Sequence, residues 1–173
     1  YFPGESTSVP AGQANTTVDI GSGVGAATPL AEGDLVLIIQ MQGAQINSSN
    51  TINYGDGVSG EGRGNTSTDF LAGRYEYARV ASVSGSTIGL TGSGANDGLN
   101  YSYQDSDATP TSGQYRYQVI RVPQYSTAVL NAAEPPTAPA WNGSIGGIVV
   151  LDVANTLDLN DATIDVSGRG FRP

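Results

Sequence analysis

The sequence predicts an all-β protein: β-barrel or sandwich-like sheets leading into short right-handed parallel β-solenoid rungs. Three observations carry this. The 173 residues include 24 glycines, and only 13% are charged, a composition in which small residues fill turns and close-packed layers. Short apolar segments recur along the whole chain, most with a period of two, the spacing of half-buried strands. A helical period is nearly missing: residues 126–134 could make two turns, and Pro135-Pro136 stops them at once.

The elements follow in order. Residues 1–14, polar and interrupted by Pro3 and Pro10, are expected to form an arm that pairs with a neighbour's edge or frays. Thr17-Val18-Asp19-Ile20 alternates. Residues 34–42 are mostly apolar and suit burial on both faces. Residues 75–83 alternate, and Gly85-Ser86 turns them into a hairpin with residues 87–91. Residues 115–122 read as a further strand, continued after Pro123 by residues 125–130. The sheet-forming part thus spans residues 15–134, a Pro-rich bridge residues 135–140, and a last part residues 141–173, all in one domain. In the last part, residues 148–153, 156–159 and 163–166 are short strands about seven residues apart with Asn at the corners. That spacing reads as rungs of a parallel solenoid; the alternative is a plain antiparallel meander.

Composition excludes much chemistry. There is no Cys, no His and no Lys, all seven basic residues being Arg, so His-based nucleophile systems, His/Cys zinc sites and Lys-dependent phosphate loops lack their residues. A net charge of −9 argues against nucleic acid and anionic membrane surfaces as partners, because both need a basic footprint. No apolar run is long enough to span a bilayer as a helix. The Gly-rich runs at residues 21–25 and 60–64 do not open helices and read as loops. Paired carboxylates could serve a glycosidase, but with 16 Asp and Glu residues a pair alone identifies nothing, and the chain is read as not an enzyme.

Two features remain as candidate sites. Asp56 and Glu61 in one long loop, and Asp105 and Asp107 in another, offer oxygen ligands of the kind calcium takes, although neither stretch matches a calcium-binding loop motif. No other cofactor is implied. Tyr-x-Tyr occurs three times, as Tyr75/Tyr77, Tyr101/Tyr103 and Tyr115/Tyr117. Residues two apart in a strand share a face, so each pair could seal a subunit contact, stack on a glycan, or form an aromatic ladder that stiffens the sheet. Five N-x-[ST] sequons add glycosylation as an option.

Residues 31–44 (AEGDLVLIIQMQGA), the pairing of residues 72–78 with 121–125, and the closing Trp141-Asn142-Gly143 … Gly168-Arg169-Gly170-Phe171-Arg172 together resemble large secreted or surface-exposed bacterial proteins. These are adhesin-like and gliding-motility-associated chains, in which such a stretch is an N-terminal unit leading into a β-helix. The resemblance implies an extracellular, non-catalytic, structural or adhesive role at the cell surface. A solenoid without a polar cap leaves an open edge and an apolar cross-section. Copies of the chain are therefore expected to assemble head to tail into a fibre through Tyr1, Phe2, Val9, the paired tyrosines, Ile164, Val166 and Phe171. The alternatives are a carbohydrate-binding module using the same tyrosines and a fragment of a β-helix polysaccharide-degrading enzyme.

Overall fold

The computed structural model describes residues 1–25, 28–47, 64–65, 70–110 and 112–171. Its strands are β1 (Phe2–Pro3), β2 (Thr16–Asp19), β3 (Leu35–Gln42), β4 (Ile46–Asn47), β5 (Gly64–Asn65), β6 (Tyr75–Ser84), β7 (Thr87–Thr91), β8 (Arg116–Arg121), β9 (Gln124–Val129) and β10 (Asp152–Asp158). Among the described residues there is no α-helix, only a short 3₁₀ turn at Ala95–Asp97. The stretch 126–134 that could have coiled is strand β9 followed by a turn.

Six strands make one curled, half-barrel sheet in the order β1-β8-β3-β6-β7-β2. Every neighbouring pair in it is antiparallel. Alternation sets its faces. In β6, Glu76, Ala78 and Val80 point inward while Tyr75, Tyr77 and Arg79 point out. Val18, Val36, Ile38, Ile88, Leu90, Tyr117 and Val119 complete the inner face and form the main core. The expected hairpin between β6 and β7 is present, with Gly85 at a φ of 62°, a turn conformation that suits glycine.

Residues 1–14 do not project as an arm. They tie the two edge strands together: Gly4 bridges Ile20, the Glu5 N–H donates to the Asp19 carbonyl at 2.8 Å, and the Gly21 N–H donates to that of Pro3 at 2.9 Å. Phe2 and Val9 enter the main core. The polar composition of the segment misleads because a glycine makes the fit. Tyr117 lies over Gly4 so closely that a Cβ there would sit 2.0 Å from the ring.

β3 is buried on both faces, as its apolar run requires. Leu37 on its outer face packs with Ile120 and Val122, and Tyr1, Ile148 and Val150 cover them. The segment carrying Ile148 and Val150 is fixed by Gln118, fully buried, whose amide accepts from the Gly146 N–H at 2.9 Å and donates to the Gly146 carbonyl at 3.1 Å.

Beyond the sheet β9 and β10 form a separate two-stranded sheet; the segments that carry them are called here the first layer (residues 122–145) and the second layer (residues 146–171). β9 and β10 pair in parallel, each residue of β10 lying 28 or 29 positions after its partner, with a bulge between Val153 and Thr156. The register continues past the strands: the Leu130 N–H donates to the Asp158 carbonyl at 2.9 Å and the Trp141 N–H to that of Arg169 at 2.8 Å. The expected rungs at seven-residue spacing are therefore corrected. Residues 163–166 form no strand, and the parallel partners in β9 and β10 lie 28 or 29 residues apart, about four times the spacing of the short apolar runs. Val122, Leu130, Ala138, Ile145 and Ala162 are buried apolar residues of these layers.

Candidate functional site

The two layers leave an apolar end uncovered. The sequence repeats across them: Thr127-Ala128-Val129-Leu130-Asn131 is followed 29 positions later by Thr156-Leu157-Asp158-Leu159-Asn160, in the register that β9 and β10 adopt. Leu130 in the first layer is 8% exposed, whereas Leu159, its equivalent in the second, is 49% exposed. The first of these leucines is thus covered and its equivalent 29 positions later is about half exposed. Leu157, Ile164, Val166 and Phe171 are likewise exposed around this end. Strand β10 pairs with β9 on one side and with no strand on the other among the described residues. An apolar patch beside an unpaired strand edge is the usual form of a strand-addition surface.

The end is acidic at its rim. Asp158, Asp161 and Asp165 are exposed there. The hydroxyl and backbone N–H of Ser167 bond the Asp165 carboxylate and hold it below the usual range, so it is ionised at neutral pH. Asp152 at the start of β10 accepts from the Gln124 amide at 2.8 Å, and Gln124 in turn meets Arg79 of the sheet at 3.4 Å. This polar chain fixes the layers to the barrel. Phe171 packs edge-on against Trp141 with ring centroids 5.5 Å apart, which anchors the far side of the second layer.

The tyrosines divide into two groups rather than forming one platform. Tyr75 and Tyr77 stand side by side on the outer face of β6, 57% and 50% exposed, and Tyr101 is also exposed. Tyr103, Tyr115 and Tyr117 are buried. The Tyr103 and Tyr117 rings lie 6.0 Å apart in the core. Burial pushes the Tyr117 hydroxyl up to about 12. Burial, then the Glu76 charge, raises that of Tyr103 far above the ordinary phenol range. Both stay protonated and serve as core hydrogen-bonding groups. Tyr1 is half-buried, its hydroxyl donating to the Ile148 carbonyl, so it joins the barrel to the second layer.

Of the candidate calcium ligands, one pair lies within the described residues. Asp105 and Asp107 both bond the Arg116 guanidinium through one carboxylate oxygen each, Asp105 at 3.2 Å; burial, the largest influence, leaves the Asp105 carboxyl above its ordinary value. Asp56 and Glu61 lie outside the described residues. Among the described residues no cluster of three or more His, Cys, Asp or Glu side chains could hold a metal.

Sequence reasoning missed three buried polar residues. Glu76 accepts from the Asn100 N–H (2.7 Å), the Asn100 side-chain amide (3.1 Å), the Tyr101 N–H (2.9 Å) and the Tyr103 hydroxyl (3.1 Å), pinning the loop at residues 99–103 to β6. Gln40 holds Gln104 in the same way, donating to its carbonyl at 2.8 Å and accepting from its N–H at 2.9 Å. Gln118 is the third. For Glu76 the signal was phase: it falls on the alternation of Ala78 and Val80, the inward side.

A second concave surface lies where the sheet meets both layers, a cleft of about 650 Å³ whose lining includes Arg121, Tyr125, Val129, Pro136 and Leu151. Comparison with known protein families, with characterised proteins and with solved structures finds no match.

Proposed function

We propose that this chain is a non-catalytic structural subunit of an extracellular surface fibre, whose copies assemble head to tail by strand addition. On this reading the two stacked layers are turns of a short solenoid, and the uncovered end is its assembly face. The observation that carries it is the contrast between Leu130 and Leu159, 8% and 49% exposed at equivalent positions. Re-covering a leucine that is 49% exposed is worth about 0.7–1.5 kcal/mol, half the value for full burial, and Leu157, Ile164 and Val166 add to it. The resemblance of the sequence to surface-exposed bacterial chains supports the extracellular setting. Negative-stain microscopy of the purified chain at rising concentration tests the proposal: filaments are expected, and a field of single particles at every concentration would refute it.

A carbohydrate-binding module is the second reading, favoured by one observation, the exposed side-by-side pair Tyr75 and Tyr77. Retention on a polysaccharide column that is lost in Tyr75→Ala/Tyr77→Ala would support it in place of assembly.

A further inference from the structure

The segment that joins the two layers holds a reactive dipeptide in a specific setting. Asn142-Gly143 is the one Asn-Gly step in the chain. It opens a tight turn in which the Asn142 N–H donates to the Ile145 carbonyl at 3.1 Å. The Ser144 and Ile145 N–H groups both donate to the Asn142 side-chain carbonyl oxygen, each at 3.0 Å. Two backbone donors on one carbonyl oxygen polarise it, and they lie where negative charge gathers when its carbon is attacked.

The other groups that an attack needs are open. Gly143 has a φ of 104°, and nothing lies within 4 Å of where a Cβ would sit, so its nitrogen is uncrowded. Asn142 and Gly143 are both exposed. Among the described residues neither the Asn142 side-chain NH₂ nor the Gly143 N–H has a hydrogen-bond partner. Other asparagines differ. Asn100 donates its side-chain amide to Glu76 and Ser93, Asn160 to the Leu130 carbonyl and Asn96 to that of Gly12. Asn131 accepts from a single N–H, that of Ala133, and Asn15 and Asn155 precede threonines, whose branched side chains crowd the backbone nitrogen.

We propose that Asn142 is a site of self-modification, at which the folded turn converts the amide to a carboxylate. The Gly143 nitrogen, its proton passed to a solvent base, bonds to the side-chain carbonyl carbon of Asn142. The bond from that carbon to Nδ2 breaks, and Nδ2 takes a proton from solvent and leaves as ammonia. Water then opens the five-membered imide at either carbonyl. One opening gives aspartate; the other gives isoaspartate, with the main chain routed through the side-chain carbon. The net change consumes one water and releases one ammonia.

The aspartyl form keeps the turn, since its carboxylate accepts the same two N–H groups with a full charge. The isoaspartyl form lengthens the chain by one carbon between two fixed points. On one side the Trp141 N–H donates to the Arg169 carbonyl at 2.8 Å; on the other Gln118 holds Gly146 to the sheet. Chemical ageing of the protein therefore acts on the joint between its layers.

The purified chain is held in mildly alkaline buffer at body temperature, native and in urea, and sampled by peptide mapping with mass spectrometry. In the native chain the peptide carrying Asn142 is expected to exchange NH₂ for OH at least about tenfold faster than that carrying Asn131, whose carbonyl has one donor. Aspartyl and isoaspartyl products are both expected. Equal rates at the two asparagines would overturn the role of the turn. A native chain that keeps Asn142 while the unfolded chain converts it would overturn the proposal, because the fold would then shield the step. Product without isoaspartate would overturn the imide route. Asn142→Asp is expected to keep the urea midpoint of the parent chain, and a lower midpoint would overturn the fit of the carboxylate in the turn.

Discussion

Glu76→Gln isolates the group that holds the loop at residues 99–103 to β6. In the structure one carboxylate oxygen accepts from the Asn100 N–H and side-chain amide, and the other from the Tyr101 N–H and the Tyr103 hydroxyl. Glutamine keeps the shape and loses one acceptor. Whichever oxygen becomes the NH₂ group, a backbone N–H, that of Asn100 or of Tyr101, faces a donor. The buried N–H left unmade costs about 1–3 kcal/mol, and the remaining bonds lose the strengthening that an ionised acceptor gives. Together these set an expected loss of about 3 kcal/mol, or about 6–12 °C in Tm for a chain of this size. Urea unfolding followed by far-ultraviolet circular dichroism measures the loss, and hydrogen exchange locates it at residues 100–101. A midpoint shift worth less than about 0.5 kcal/mol, or unchanged protection of those two amides, would refute the assignment of Glu76 as the pin.

Three further outcomes follow from the same geometry. Gly4→Ala places a Cβ 2.0 Å from the Tyr117 ring and is expected to cost about 1–3 kcal/mol by overpacking; Tyr117→Ala combined with it should recover part of that loss, and strict additivity of the two in urea titrations would count against the close fit. Gln118→Glu removes the donor that meets the Gly146 carbonyl and is expected to loosen the second layer from the sheet, read as faster proteolysis after residue 141 with the barrel intact; unchanged proteolysis would contradict it. Alkaline stability falls in a defined window. The Tyr117 hydroxyl is raised to about 12 and that of Tyr103 still further, so the stability these neutral phenols give is full below pH 10. Each then costs about 1.4 kcal/mol per pH unit as the pH rises from 10 towards the folded value. Tyr103→Phe should shallow that slope, and a slope unaffected by it would contradict the burial argument.

Much of the barrel was legible in the sequence. Alternation in residues 75–83 and the turn at Gly85-Ser86 specify a hairpin locally, and the double-sided apolar run at residues 34–42 demands cover on both faces, which the main core and Ile148 with Val150 supply. The fate of residues 1–14 was not legible, because Phe2 and Val9 are too sparse to signal a core strand, and the fit depends on a glycine meeting a tyrosine 113 positions away. The layers were half legible. Short strands and Asn corners were evident, but the stacking step is set by which turn lies over which, a non-local property. The matching Thr-x-x-Leu-Asn segments at residues 127 and 156 are the one local trace of it. Of the candidate interface residues, Ile164, Val166 and Phe171 are exposed at the uncovered end, while Phe2, Val9, Tyr103, Tyr115 and Tyr117 are used inside the chain. Period two does not say which face a neighbour covers.

The account turns on whether the end around Leu159 binds protein. Sedimentation velocity of the wild-type chain and of Leu159→Glu over a wide concentration range decides this. Leu159 is 49% exposed, so the substitution should leave the circular dichroism spectrum unchanged. The wild type is expected to grow into larger species as concentration rises while Leu159→Glu sediments as a monomer throughout. Identical behaviour of the two chains would contradict the claim.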